Sequence, residues 1–188
     1  TQALPAAACG GLVAPNGAIR LDRATTLVAW HDGVEHYMTS FSYQGSAQSF
    51  GWIVPLPTVP DSVQPGGKWT LQRLLRETHP RPLFALDARV QAEAAPAPAE
   101  VLQQVQVDAL DITVLRGSGQ AVLDWANDNG FAIDAETHAH VLQYAMGSPI
   151  FMAAKYNTAR AEARRLRFGA CAPVLIRITL AHPWVPCA

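Results

Sequence analysis

The sequence predicts an α+β fold, strand-rich, with mostly antiparallel sheets and about three short helices. Three observations predict it. Most apolar residues recur with a period of two, the stretches with helical spacing are short, and strands and helices come in runs instead of strict alternation.

Residues 25–30 are β-branched and apolar, residues 34–43 alternate with aromatics, and His31-Asp32-Gly33 lies between them. Asp-Gly between two strand-like runs is the strongest local hairpin signal, because its tight turn needs positive φ. Pairing His31 with Val34 puts Val28, Trp30, Tyr37 and Phe41 on one side and Leu27, Ala29, Val34 and Met38 on the other. Both sides are largely apolar, which predicts a hairpin covered on both faces.

Residues 49–57 read Ser-Phe-Gly-Trp-Ile-Val-Pro-Leu-Pro. The apolar run suits a strand, but Pro55 and Pro57 cannot donate to a ladder, which places it at a sheet edge or on its way out of one. Leu71, Leu74 and Leu75 then follow helical spacing within residues 68–78, closed by Pro80 and Pro82. Residues 91–100, rich in Ala and Pro, read as a linker. The expected organisation is one domain over 1–188, with sub-lobes 1–90 and 101–188 as the division this linker allows.

Val101, Val105 and Val107 share one parity, and Leu110, Ile112 and Val114 share the other. A slip near Ala109 requires a bulge, or two short strands with a tight joint. Residues 120–129 form a helix with Val122 and Trp125 inward and Gly130 as its left-handed stop. Asp134 caps a second helix carrying Val141, Tyr144 and Ala145, which ends at Gly147. Strands are predicted at 150–156, 164–168 and 174–180, for six to eight in all. In the last, Val174, Ile176, Ile178 and Leu180 share a face.

Length and charge bound the function. A chain of 188 residues suffices for one domain with a real core. Charged residues make up 15%, against a usual ~25%, so the surface is either neutral or partly committed to a partner. The net charge is −1, and the one basic cluster, Arg160, Arg164, Arg165 and Arg167, reads as a solvated segment, so nucleic acid lacks its electrostatic footprint. No apolar run reaches the ~18 residues of a membrane span. Residues 1–8 are small and apolar without a charged leader, as expected of the new end left when a signal peptide is removed.

The cysteines are Cys9, Cys171 and Cys187, so at most one internal disulfide forms. None stands in a Cys-x-x-Cys pair, which removes the zinc and thioredoxin-like readings. Cys171 and Cys187 bracket one strand, and Pro183 and Pro186 can bend the chain back; that pair is preferred, leaving Cys9 as a free thiol or paired externally.

Other constellations are weaker. Gly117-Ser118-Gly119 opens a helix after a strand, but Val122 stands where a dinucleotide loop needs a small residue, so a tight turn is preferred. His31 and His36 lie diagonally on one face of the hairpin, near enough to share an ion, with no third ligand to place. His138 and His140 diverge on a helix. No nucleophile elbow, His-Glu-x-x-His or P-loop occurs, and Asp22, Glu35, Asp108 and Asp111 are scattered. Trp30 and Trp52 read as core packing before an aromatic binding surface.

The stretch Phe50-Gly-Trp-Ile-Val-Pro-Leu-Pro57, with Ala8-Cys9-Gly10-Gly11 and Tyr43-Gln44-Gly45 before it, resembles a family of bacterial exported proteins catalogued as domain of unknown function 2330. Weaker echoes are Trp125-x-x-x-Asn129-Gly130-Phe131, Phe151-Met-Ala-Ala-Lys155 and the strand from Pro173 to Ile178. The resemblance implies export and an envelope setting but no activity. Members often carry a second cysteine just after Cys-Gly-Gly, and Leu12-Val13-Ala14-Pro15 has none.

The expectation is therefore an extracytoplasmic, non-enzymatic accessory, scaffold or binding subunit of an envelope or extracellular assembly. It would meet a protein partner or a second copy of itself, with no catalytic residues and no cofactor. The alternatives are a metal-handling protein using His31 and His36, and an enzyme whose site is assembled from distant residues.

Overall fold

The computed structural model describes residues 11–13, 19–45, 49–67, 70–71, 73, 98–166 and 169–185. Among the described residues, nine strands form two sheets in which every pairing is antiparallel. The first has the order β1 (Gly11–Val13), β4 (Ser49–Leu56), β8 (Ile150–Asn157), β7 (Leu110–Arg116), β6 (Glu100–Val107). The second has the order β2 (Ile19–His31), β3 (Val34–Gly45), β9 (Val174–Thr179), β5 (Ser62–Pro65). The fold is α+β and strand-rich, as the period-two patterning requires. Both sheets draw strands from either side of residues 91–100.

The sheets face each other across the main core. Tyr37, Phe41, Tyr43, Val174, Ile176 and Ile178 of the second sheet meet Phe50, Trp52, Val54, Ile112, Met152 and Tyr156 of the first. Aromatic rings fill the centre: Phe41 lies 5.0 Å from Trp52 between ring centroids, and Phe50 stacks on Tyr156 at 4.8 Å. Odd-numbered residues of β4, β7 and β8 point the other way. Ile53, Leu115, Phe151 and Ala153 pack beneath Val122, Leu123 and Ala126 of α1 (Gly119–Asp128) and Val141 of α2 (Ala135–Ala145). The three central strands of the first sheet are thus covered on both faces, which is why they read as continuous apolar runs.

Local chemistry sets the joints. Asp32 (φ 48°) and Gly33 (φ 75°) make the two-residue turn between β2 and β3, and His31 pairs with Val34 as the alternation requires. The slip near Ala109 is a tight joint: Val107 pairs with Leu110 and Asp108 turns at φ 50°. Ser118 caps α1 by accepting from the Ala121 amide at 3.2 Å, and Asp134 caps α2 by accepting from the Thr137 amide at 2.7 Å. Gly130 stops α1 at φ 76°.

Three expectations change. The hairpin is not covered on both faces: β3 is buried, but β2 lies at a sheet edge and is mostly exposed, with Trp30 40% accessible. Residues 49–57 are not an edge strand; β4 lies between β1 and β8. Pro55 is tolerated because β1 pairs only Gly51–Ile53, so among the described residues the strand has one free side at the proline. Residues 164–166 are not strand. They follow a short helix, α3 (Thr158–Ala163), which Asn157 caps by accepting from the Arg160 amide at 2.9 Å, and Arg165 turns left-handed at φ 53°. Of the helix expected over residues 68–78, Thr70, Leu71 and Arg73 are helical and the rest lies outside the described residues.

Candidate interaction site at the open edge of the second sheet

Each sheet has two edges, and among the described residues three of the four are guarded. β1 is three residues long, and β5 is four residues long and ends on Pro65. β6 is kinked by a register shift between Val101 and Gln103, beside the Arg116–Glu100 ion pair at 3.1 Å. These are the usual devices against unwanted strand pairing. β2 differs. It runs thirteen residues, shifts register once between Leu21 and Arg23, and then continues from Ala24 to Trp30 with no charge, proline or glycine. No described strand pairs with its outer side.

The ladder settles which backbone groups face outward. Pairs in an antiparallel ladder alternate between hydrogen-bonded and non-bonded. The two-residue turn makes His31–Val34 a bonded pair, followed by Ala29–His36, Leu27–Met38 and Thr25–Ser40. The opposite parity on β3 serves β9, consistent with Leu180 N–H donating to the Gly33 carbonyl at 2.9 Å. Ala24, Thr26, Val28 and Trp30 are left with N–H and C=O aimed at the free edge. Their side chains point toward the core side, where Val28 packs on its margin and the Trp30 indole donates to the Leu180 carbonyl at 3.1 Å.

Beneath Trp30 sits Glu35, its cross-strand partner, wholly buried at the margin of the core. One carboxylate oxygen, Oε2, accepts the Trp184 amide at 2.6 Å, and the other, Oε1, has no partner among the described residues. Burial pushes its pKa above the ordinary 4.5, against the opposing pull of the Trp184 amide. The segment after β9 is thus tied over the hairpin end by two hydrogen bonds. Nothing in the alternation of residues 34–43 marks Glu35 as buried beyond its parity with Tyr37 and Phe41.

The other sequence candidates fall in separate places. His31 and His36 share the outer face of the hairpin and both are exposed; the His31 ring contacts Asp32 at 3.1 Å. Among the described residues, no three His, Cys, Asp or Glu side chains gather as a metal-ligand set. Cys171 is a free, buried thiol beside the aromatic core, its pKa raised by burial. Cys9 and Cys187 lie outside the described residues. Cys171 N–H donates to the Phe41 carbonyl at 2.9 Å, whereas Trp184 is anchored at Glu35, six residues and about 20 Å away along β3.

Burial and a hydrogen bond with Tyr43 hold the Tyr156 hydroxyl protonated well above its ordinary range. Asp111 and Arg160 form a two-toothed pair at 2.7 and 2.9 Å, which lowers the Asp111 pKa and engages one arginine of the basic cluster. Arg164 donates to the Asp108 carbonyl, and Arg167 lies outside the described residues. Gly117-Ser118-Gly119 has a packing role: a Cβ on Gly119 would stand 2.9 Å from Leu142 Cδ2, so the glycine lets α1 and α2 approach closely.

A family model described as an uncharacterized protein conserved in bacteria, DUF2330, matches residues 3–187. The chain belongs to that family. The match covers both sheets and the helices α1, α2 and α3, so the DUF2330 pattern spans this two-sheet body. No curated protein and no solved structure matches the chain. Among the described residues, no helix of this DUF2330 member is long and apolar enough to cross a membrane.

Proposed function

We propose that this DUF2330 protein is an exported, non-enzymatic binding module, an accessory or scaffold subunit of a bacterial envelope or extracellular assembly. It works by accepting a polypeptide strand along β2. The observation that carries this reading is the unguarded run from Ala24 to Trp30, beside three edges that are each shortened, kinked or ended by proline. An added strand would satisfy the outward N–H and C=O groups of Ala24, Thr26, Val28 and Trp30 while covering the exposed indole. The low charged fraction of 15% favours contact in the same way. Export is supported by the resemblance to exported proteins.

The test places a photo-crosslinking residue at Ala29 or Thr26 on β2, and at Gln106 on β6 as control, in the native bacterium. Adducts to a polypeptide from the β2 positions alone, in the extracytoplasmic fraction, are expected. Equal adducts from Gln106, or none from β2, would remove the reading.

A further inference from the structure

Resting on β2 as the contact surface, we propose that its occupant is a second copy of this chain, paired β2 to β2 in antiparallel fashion about Leu27. The strand is complementary to itself in that arrangement. Pairing about Leu27 sets Trp30 against the second copy's Ala24, Val28 against its Thr26, Ala29 against its Thr25, and Leu27 against its Leu27. The largest side chain of the run meets the smallest, and β-branched residues meet each other, which are favourable cross-strand combinations. All seven residues from Ala24 to Trp30 find partners, and the outward backbone groups of Ala24, Thr26, Val28 and Trp30 fall opposite one another in bonded pairs.

Charge agrees. The first end of β2 carries Arg20, Asp22 and Arg23, for a net +1, with Asp22 already engaged by Ser42 and Gln44 at 3.0 Å each. The turn end carries Asp32, for a formal charge of −1, beside His31. Antiparallel pairing brings unlike ends together at both extremities, whereas parallel pairing would bring like ends together. A two-fold axis through Leu27 makes the contact isologous and closed, so it stops at a dimer. The two four-stranded sheets would continue as one across the axis.

Sedimentation or light scattering of the full chain should give twice the monomer mass. Thr26→Pro removes an outward N–H from each copy but leaves the β2–β3 ladder intact, since Thr26 donates nothing to β3. It should weaken dimerisation by about tenfold or more. Leu27→Cys places two thiols at a non-bonded pair, within disulfide reach across the axis. It should give a covalent dimer absent from the unsubstituted protein, while Thr25→Cys, four residues from its own copy in this register, should give none.

A protein that stays monomeric at its highest soluble concentration overturns the proposal. So does a dimer indifferent to Thr26→Pro that also fails to crosslink through Leu27→Cys. If Thr26→Pro does not fold, the two cysteine variants decide alone. A monomer that still yields β2 adducts to a different protein in the bacterium would end the self-pairing idea and leave the broader contact reading standing.

Discussion

Replacing Glu35 by glutamine should stabilise the protein at neutral pH, an unusual outcome for a wholly buried position. The carboxylate satisfies the Trp184 amide through Oε2, and a carboxamide oxygen can accept the same bond. The other oxygen has no partner among the described residues, so its charge is buried without a described counter-group. An unsatisfied buried polar atom costs about 1–3 kcal/mol, more when charged, and the glutamine N–H₂ gives part of that back because it too would lack an acceptor. A net gain of about 2 kcal/mol follows, or roughly 4–8 °C in melting temperature for a chain of this length.

The sign with pH is definite. The folded-state pKa is raised above 4.5, so between 4.5 and that raised value the native state holds more proton than the unfolded chain. Stability contributed by Glu35 is full below 4.5, declines as pH rises through the window, and levels off above it. Glu35→Gln should lack that decline. Thermal melts of both proteins from pH 4 to 8 would show curves that converge in acid and separate toward neutrality. A variant less stable at pH 8, or one that keeps the decline, would refute the reasoning.

Further outcomes follow from packing and pairing. Gly119→Val should cost about 1–3 kcal/mol in denaturant unfolding, because its Cβ would meet Leu142 at the α1–α2 crossing; an unchanged midpoint would deny that contact its role. Asp111→Asn should cost about 0.5–1 kcal/mol at neutral pH, since half the pair is exposed. The Asp111 contribution is present above 3.8 and lost as pH falls through its lowered folded value, so the variant and the unsubstituted protein should converge in strong acid. Cys171, buried and with its thiol held protonated, should resist maleimide until the protein unfolds, as peptide mapping after native and denatured labelling would show. Rapid native labelling would contradict its burial.

Much of the fold was legible because local chemistry dictated it. Asp32-Gly33 fixed one hairpin and its register, Asp134 marked one helix start, and Gly130 marked a stop. The remainder depends on partners distant in sequence. Nothing near residues 49–57 says that β4 will lie against β8 a hundred residues later, so its prolines suggested an edge. The same distance hid the exposure of β2: its apolar faces matched those of a covered strand, and only the sheet order shows that no described neighbour lies beyond it. α3 was missed because six residues carry too little periodicity to outweigh the apolar residues after them. The proposed contact surface was legible only as a shortage of charge. Its location needed the ladder.

The placement of β9 governs how the chain can fold. This last described strand lies between β3 and β5, so the second sheet cannot close until Val174–Thr179 has been made. Its pairing with β3 joins positions about 140 apart in sequence, giving a topology of high contact order that forms slowly. A nascent chain of this design keeps β3 and β5 apart until β9 arrives to join them.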